Sequence, residues 1–270
     1  MKVEILNPDV LTNLYKNHGT FACTCYNTPE KYAEKVGKAC EHDGHMSGSR
    51  CEYIKFRITD VDRGTAEQCM RHEIGVSFPF EDMDNYAFDE YSEKVIDVSP
   101  DQIVKNMGSF RYIDKSGFTY TTPDEISMFE SAKEIYDSFM LVTNETRNAL
   151  KDFLVQQGVS EKRANECANF VLPRATESTL TIGFTPEALL QFMHKRLCNR
   201  AQPEIKRLAI MMRNAVKEIN PEFAAELVPH CQHLLWCPEG KKMTCGAYPT
   251  KDVVKELIKA AKNDVNNNEQ

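Results

Sequence analysis

The segment ESTLTIGFTPEALLQFMHKRL (residues 177–197) contains both of the patterns on which the fold prediction depends. Its first part, ESTLTIGF, alternates polar and apolar residues, which is typical of a strand with one buried face. Thr185, Pro186 and Glu187 follow. A threonine cap, a proline at the first helical position and an early glutamate together predict the start of a helix. This part of the chain therefore combines a strand and a helix without a long linker.

The same two patterns recur on both sides of that segment. They predict strands at 51–61 and 177–184, and a hairpin at 109–123 with its turn at 115–117. They predict helices at 29–39 after Thr28, at 63–72 after the cap Asp62, at 123–157, at 160–172, from Thr185 onward and at 250–262; Pro203 either kinks the helix before it or begins a new one. The fold class is therefore predicted as α+β, with a mixed or antiparallel sheet and several long helices.

The domain organisation follows from the parts of the chain that lack these patterns. Residues 78–105 are acidic and aromatic without a persistent period, which indicates an insertion. The last residues, 263–270, are polar and predicted to be disordered. We expect a single catalytic domain over 1–262 that also contains a Cys/His-rich loop at 230–246.

The composition excludes several classes of function. The chain has 270 residues and a formal charge of −7, whereas nucleic-acid and membrane-surface binders normally carry an excess of basic residues. It contains no apolar run near the length of a membrane span and no signal-peptide layout. Ten cysteines in a chain of this size then favour reduced thiols and a cytoplasmic location.

Unusual polarity is concentrated in three segments: EQCMRHEIG (67–75), NMGSFRY (106–112) and QFMHKRLCNRAQPE (191–204). On a strand, Ser109 and Arg111 would point to the same side and offer a hydroxyl and a guanidinium to one phosphate or carboxylate. On a helix, Gln191, Lys195 and Arg196 lie close enough to face one ligand. The alternative for each segment is a solvated polar face without a ligand.

The three segments together resemble one family, the flavin-dependent thymidylate synthases. The family signature R-H-R is matched at its start by Arg71-His72, and N-E-x-S-x-R-Y by residues 106–112 with Met107 in place of glutamate. A later helix of the family, with arginine followed by A-Q-x-E-I-R, is matched from Arg196 by Ala201-Gln202 and then EIK. GHMS (44–47) and FVLP (170–173) are similar to two further family motifs, so the resemblance extends over about 44–215.

The resemblance implies a homotetramer whose active sites are shared between subunits. It implies FAD as the cofactor, and NADPH and methylenetetrahydrofolate as co-substrates, for the conversion of dUMP to dTMP. By position, Arg196 would be the catalytic arginine that contacts the uracil and favours its ionisation. The nucleotide would be held by Gln68, Arg71, Ser109, Arg111, Asn169 and Arg196, and the flavin by Ser47, Arg71, His72, Glu73 and Gln191.

The chain also departs from the family pattern. Glu73 stands in place of the second arginine of R-H-R, and Asn169 in place of an arginine that contacts the nucleotide. Other arginines could compensate for this lost positive charge, namely Arg50, Arg174 or Arg200. The departures leave three interpretations open: a divergent thymidylate synthase, a related flavoenzyme that modifies C5 of dCMP or UMP or adds another one-carbon group, or a non-catalytic nucleotide-binding homologue.

The loop PHCQHLLWCPEGKKMTCG (229–246) lies outside the matched segments. Its histidines and cysteines are of the types that bind zinc, but their spacings differ from those of ordinary zinc ribbons. We therefore interpret it as a structural loop and predict no metal. A zinc-stabilised interaction protein is the alternative.

Overall fold

A computed structural model of the chain describes residues 1–72 and 102–268. Its four strands are β1 (Lys2–Ile5), β2 (Ile54–Asp62), β3 (Ile103–Met107) and β4 (Glu177–Phe184). The helices of the first half are α1 (Pro8–Thr12), α2 (Leu14–Cys25), α3 (Ala33–His42) and α4 (Arg63–Met70). Those of the second half are α5 (Asp124–Ser127), α6 (Glu130–Gln156), α7 (Glu161–Ala168), α8 (Pro186–Arg196), α9 (Pro203–Ile219), α10 (Pro221–Glu226), α11 (His230–Leu234), α12 (Gly240–Met243) and α13 (Lys251–Asn268).

The strands form one sheet in the order β1-β2-β4-β3. β1 pairs antiparallel with β2, with Val3 opposite Ile58. The alternation read from the sequence corresponds to burial in β2, because Ile54, Phe56 and Ile58 are fully buried. The predicted α+β class is confirmed.

The chain divides into two compact units. The first consists of 1–6, 55–72 and 104–183, and its described part contains most of the sheet with α4 to α7. Among described residues, the second consists of 7–54, 102–103 and 184–268. In that second unit α2 and α3 pack closely at two glycines. A Cβ on Gly19 would lie 1.7 Å from the carbonyl oxygen of Ala33, and one on Gly37 would lie 1.8 Å from that of Tyr15.

Most predicted element starts agree with the structure. β4 has the predicted bounds, and Asp62 and Thr185 both act as N-caps, accepting hydrogen bonds from the backbone N–H groups of Thr65 and Ala188. Pro203 begins a new helix, α9. Thr28, in contrast, does not cap a helix: α3 begins later than predicted, at Ala33 after Tyr32, and the Thr28 hydroxyl donates to the carbonyl of Tyr26.

Two predicted elements are wrong. The hairpin at 109–123 is absent: the chain turns immediately after β3, and Tyr120 forms only an isolated bridge with Thr176. The predicted helix at 123–157 is divided into α5 and α6 because Phe129 has an extended backbone. Helical spacing of apolar residues continues across this break, so the pattern alone could not locate it.

The structure describes only part of the predicted insertion and of the predicted tail. Glu73 and most of the proposed insertion at 78–105 lie outside the described residues. α13 continues to Asn268, past the predicted helix end at 262. The division into one domain and a tail stays a prediction.

Among described residues, no helix has the length and apolar character needed to cross a membrane.

Candidate functional site

A cavity of about 730 Å³ lies in the first unit, next to the end of β3. Its wall is formed by the turn that follows β3, by α7 and by the segment after it. The polar side chains that line it include four arginines. The lining includes Arg63, Ser109, Phe110, Arg111, Arg163, Glu166, Asn169 and Arg174.

The turn after β3 determines where Ser109 and Arg111 lie. The backbone N–H groups of Tyr112 and Ile113 both donate to the carbonyl of Ser109 at 3.1 Å, so the backbone coils rather than extends. The expectation that Ser109 and Arg111 share one side of a strand is therefore wrong. The turn nevertheless brings both side chains to the same cavity, because residues two apart in a tight turn are close in space.

Carboxylates pair with the arginines of the cavity. Glu166 on α7 accepts from Nε of Arg111 at 2.9 Å and from Nη1 of Arg163 at 3.0 Å. Arg163 and Arg111 thereby hold the pKa of Glu166 below its usual range, so this carboxylate stays ionised near neutral pH. Arg174 is 74% exposed and lies 4.0 Å from Glu67. More arginines than carboxylates face the cavity, which favours an anionic ligand.

The aromatic ring of Phe110 lies beside two cations. The guanidinium carbon of Arg63 is 4.6 Å from the ring centroid and Nζ of Lys115 is 5.0 Å from it. Arg63 also donates from Nε to Glu67 at 3.0 Å. These contacts fix the middle residue of the turn between Ser109 and Arg111.

Asn169 lines the cavity, but its amide is already engaged with the protein. Its Nδ2 donates to the carbonyl of Phe110 at 2.6 Å, and its Oδ1 accepts from Nε of Arg147 at 3.0 Å. Arg147 is fully buried, whereas Asn169 is 8% exposed. The asparagine therefore connects a buried arginine to the turn.

Gln68, Arg71 and His72 lie at the end of α4 and do not line the cavity. Lys105 on β3 donates from Nζ to the carbonyls of Met70 and His72, which fastens the end of this helix to the sheet. Arg71 is exposed and His72 is buried.

Ser47, Gln191 and Arg196 belong to the second unit. Ser47 is exposed in a 3₁₀ helix (Met46–Cys51) and lines a cavity of about 390 Å³ together with His18 and Tyr26. That 3₁₀ helix packs on α8, which carries Gln191 and ends at Arg196. Arg50 donates to both carboxylate oxygens of Glu187, at 2.5 and 3.1 Å, and so joins the two segments. Arg50, one of the arginines suggested as compensating charge, is therefore already paired with a carboxylate.

The Cys/His-rich loop contacts α8 through histidines. The ring of His194 lies 5.0 Å from the rings of both His230 and His233. Burial lowers the pKa of His194 to about 4, and the two neighbouring histidines act in the same direction. Within the described ranges, no group of three or more His, Cys, Asp or Glu side chains is arranged to hold a metal ion.

Some residues of the cavity could not be assigned from the sequence. Arg63, Arg163 and Glu166 belong to no matched motif, and Arg174 was only one of three arginines suggested as compensating charge. Arg163 and Glu166 pair at i, i+3 on α7, a spacing that a sequence can offer as a signal, whereas no spacing shows that Arg111 joins them.

Comparison with known proteins adds evidence that does not depend on this geometry. The sequence model of the Thy1 family, described as thymidylate synthase complementing protein, matches residues 15–222. A flavin-dependent thymidylate synthase of Nitratidesulfovibrio vulgaris is 32% identical over 208 residues, covering 77% of this chain and 74% of that protein. Proteins of the same name from Clostridium tetani (32%; 75% and 73% covered) and Geobacter sulfurreducens (28%; 79% and 77% covered) are also similar.

Proposed function

This chain belongs to the Thy1 family, and from that membership we propose that it is a flavin-dependent thymidylate synthase, which methylates dUMP at C5 to give dTMP. It is thus a methyltransferase that uses FAD, with methylenetetrahydrofolate and NADPH as co-substrates. The finer assignments below concern its residues, its assembly and its location.

The nucleotide is proposed to bind in the cavity of the first unit. The observation that carries this assignment is the turn after β3, where the Ser109 hydroxyl and the Arg111 guanidinium face a cavity with surplus positive charge. A hydroxyl and a guanidinium suit the oxygens of a phosphate. The resemblance adds Asn169, which lines the cavity, and Gln68 and Arg71, which lie at the end of α4 outside the cavity lining, to the proposed set in this unit.

Arg196 is proposed as the catalytic arginine. It is half-buried at the end of α8, where the helix dipole favours a positive charge. Its fixed charge would stabilise the negative charge that develops on the uracil ring, and this stabilisation is largest in the transition state.

The flavin is proposed to contact Ser47, Arg71, His72, Glu73 and Gln191. The described members fit such a role in part, because Ser47 and Arg71 are exposed and the segments that carry Ser47 and Gln191 pack together. When bound, the flavin supplies the hydride for the reductive step. The protein residues bind and orient it, with Ser47 and Gln191 offering hydrogen bonds and Arg71 a positive charge.

A homotetramer is proposed, and an exposed apolar stripe on and just before α6 supports self-association. Ile135, Phe139, Val142 and Phe153 are 58–73% exposed and follow the heptad spacing of helices that pair, and Met128 precedes them. A helix of 27 residues with such a face can bury it against a second copy. We further propose a cytoplasmic location, where dUMP and reduced folate are available.

Turnover of dUMP, dCMP and UMP by the FAD-loaded protein, with methylenetetrahydrofolate and NADPH, tests the function. We expect dTMP from dUMP and little product from the other two nucleotides. Preferential methylation of dCMP or UMP would support the related flavoenzyme instead. A protein that binds dUMP but takes up no FAD and forms no product would support the non-catalytic homologue.

A further inference from the structure

Arg147 on α6 is a fully buried charge whose hydrogen bonds converge on the loop that forms the nucleotide cavity. Its Nη2 donates to Asp114 Oδ1 at 2.8 Å and also to Asn165 Oδ1, its Nη1 to Asn148 Oδ1 at 3.0 Å, and its Nε to Asn169 Oδ1. Burying a guanidinium is costly unless all of its donors are satisfied. The buried guanidinium of Arg147 therefore holds the side chains that accept its hydrogen bonds in a defined arrangement.

Asn169 and Asn165 accept hydrogen bonds from Arg147 and donate to backbone carbonyls of the turn, so they connect Arg147 to the turn. Asn169 donates to the carbonyl of Phe110, and both asparagines approach the carbonyl of Ile113, at 3.4 and 3.3 Å. The carbonyls held in this way lie one residue before Arg111 and two residues after it. Since the amide of Asn169 already serves Phe110, Ile113 and Arg147, little of it remains for a ligand.

The end of the loop is fixed by the same arginine. Asp114 accepts from the backbone N–H of Ser116 at 2.9 Å as well as from Arg147 and Lys151. The backbone hydrogen bond from Ser116, assisted by Lys151 and Arg147, keeps the pKa of Asp114 far below its usual range. The carboxylate therefore remains a charged partner for Arg147 at any pH at which the enzyme would work.

We propose that Arg147, acting through Asn169, is the positioning residue that holds the turn from Ser109 to Ile113 in its nucleotide-binding shape. Asn169 then contributes to affinity by fixing this turn, and not as a direct ligand of the nucleotide. The identity of the ligand rests on the proposed function, whereas the effect on the turn does not.

A double-mutant cycle on the FAD-loaded protein tests the connection between the two residues. We expect Asn169→Ala and Arg147→Met each to weaken dUMP binding about tenfold by calorimetry, to raise KM similarly and to leave kcat within about twofold. The double variant should bind no more weakly than the weaker single variant, since both remove the same connection. Multiplication to about a hundredfold would overturn the proposal, because it would indicate independent contacts.

Hydrogen exchange without nucleotide separates positioning from direct binding. In Asn169→Ala we expect the amides of Tyr112 and Ile113, which close the turn on Ser109, to exchange several-fold faster than in the wild type. Unchanged exchange would overturn the proposal. Because this measurement needs neither Arg147→Met nor nucleotide, it still tests the positioning role if Arg147→Met does not fold. If the wild type binds no dUMP, the proposed function fails, but the effect of Asn169 on the turn can still be measured.

Lys151→Met is the matched control. Lys151 lies one turn beyond Arg147 on α6, donates to Asp114 at 3.0 Å and lies 3.6 Å from Glu161; among the described residues it has no hydrogen bond to Asn169. We expect this variant to retain dUMP affinity within about twofold. A loss as large as that of Asn169→Ala would show that any disturbance of the loop is sufficient, and would count against a specific role for Arg147 and Asn169.

Discussion

The arginine cavity of the first unit and the histidine cluster of the second unit (His194, His230 and His233) treat polar side chains in opposite ways. In the cavity, Arg111 and Arg163 are largely exposed and share the carboxylate of Glu166. In the cluster, His194 is 8% exposed, and neither of its buried ring nitrogens has a hydrogen-bond partner among the residues that the structure describes. Water and carboxylates keep charges available for a ligand in the first region, whereas in the second burial lowers the pKa of His194 and keeps that imidazole neutral. Density of polar residues in a sequence therefore does not by itself identify a site.

The largest effect is expected for Arg196, which lies two residues after His194 on α8. Arg196→Ala should lower kcat by about 10²–10³-fold, or about 3–4 kcal/mol, because it removes a charge that acts mainly in the transition state. Steady-state kinetics with dUMP measure this loss. The exposed neighbour Lys195 is the control, and Lys195→Ala should remain within about twofold of wild type. Wild-type turnover by Arg196→Ala would contradict the assignment and would leave α8 with a purely structural role.

The next effect concerns the cavity. Arg111→Ala should weaken dUMP binding by about 1.5–3 kcal/mol, the range for a hydrogen bond to a charged group, and should raise KM more than it lowers kcat. Calorimetric titration with dUMP measures the loss. Arg57→Ala removes another exposed arginine of the same unit (50% exposed, against 65% for Arg111), which is paired with Glu4, and should not alter binding. If Arg111→Ala and Arg57→Ala bound dUMP equally well, Arg111 would not be a nucleotide-binding residue.

The histidine cluster should make stability depend on pH. His194 has a pKa of about 4 in the folded chain against 6.5 ordinarily, so between these values the unfolded chain binds a proton that the folded chain does not. The free energy of unfolding should therefore decrease as pH falls from 6.5 to 4, by about 2–3 kcal/mol, and level off below.

Urea denaturation of wild type and His194→Leu across that range checks this expectation, and the leucine variant should lose most of the slope. His42 provides the exposed comparison. The hydrogen bond from His42 to Asp43 raises the pKa of His42, so that residue contributes in the opposite direction. The same slope in wild type and His194→Leu would show that the cluster is not what makes the fold sensitive to acid.

The smallest effect is expected at the helix caps, of which Asp62 lies in the first unit and Thr185 in the second. Asp62→Ala and Thr185→Ala should each reduce the free energy of unfolding by about 1 kcal/mol, because each leaves a backbone N–H of the first helical turn unsatisfied. Urea denaturation measures both, and Asp62→Asn, which keeps an acceptor, should recover most of the loss. A negligible change for either variant would mean that tertiary contacts alone define that helix start.

The sequence was most informative where a local rule determines the structure. The cap at Thr185 and the alternation in β2 depend on neighbouring residues only, and both predictions are confirmed. The turn after β3 was predicted as a strand because its shape depends on Asn169, which is distant in sequence. Glu166 joins Arg111 only once α7 has packed, and no local spacing encodes that contact. The resemblance proposes which segments hold the nucleotide, but it does not indicate the contacts of Asn169 with Arg147 and Phe110.

The close packing of α2 on α3 has a consequence for how substitutions in this protein should be interpreted. Gly19 and Gly37 have no reactive group, and neither is assigned to a ligand. Even one additional methyl group at either position would overlap a carbonyl oxygen, so the two helices would have to separate. In a saturation mutagenesis library selected for growth without thymidine, both positions should be among the least tolerant. Their depletion would record a steric limit of the scaffold and not a catalytic role.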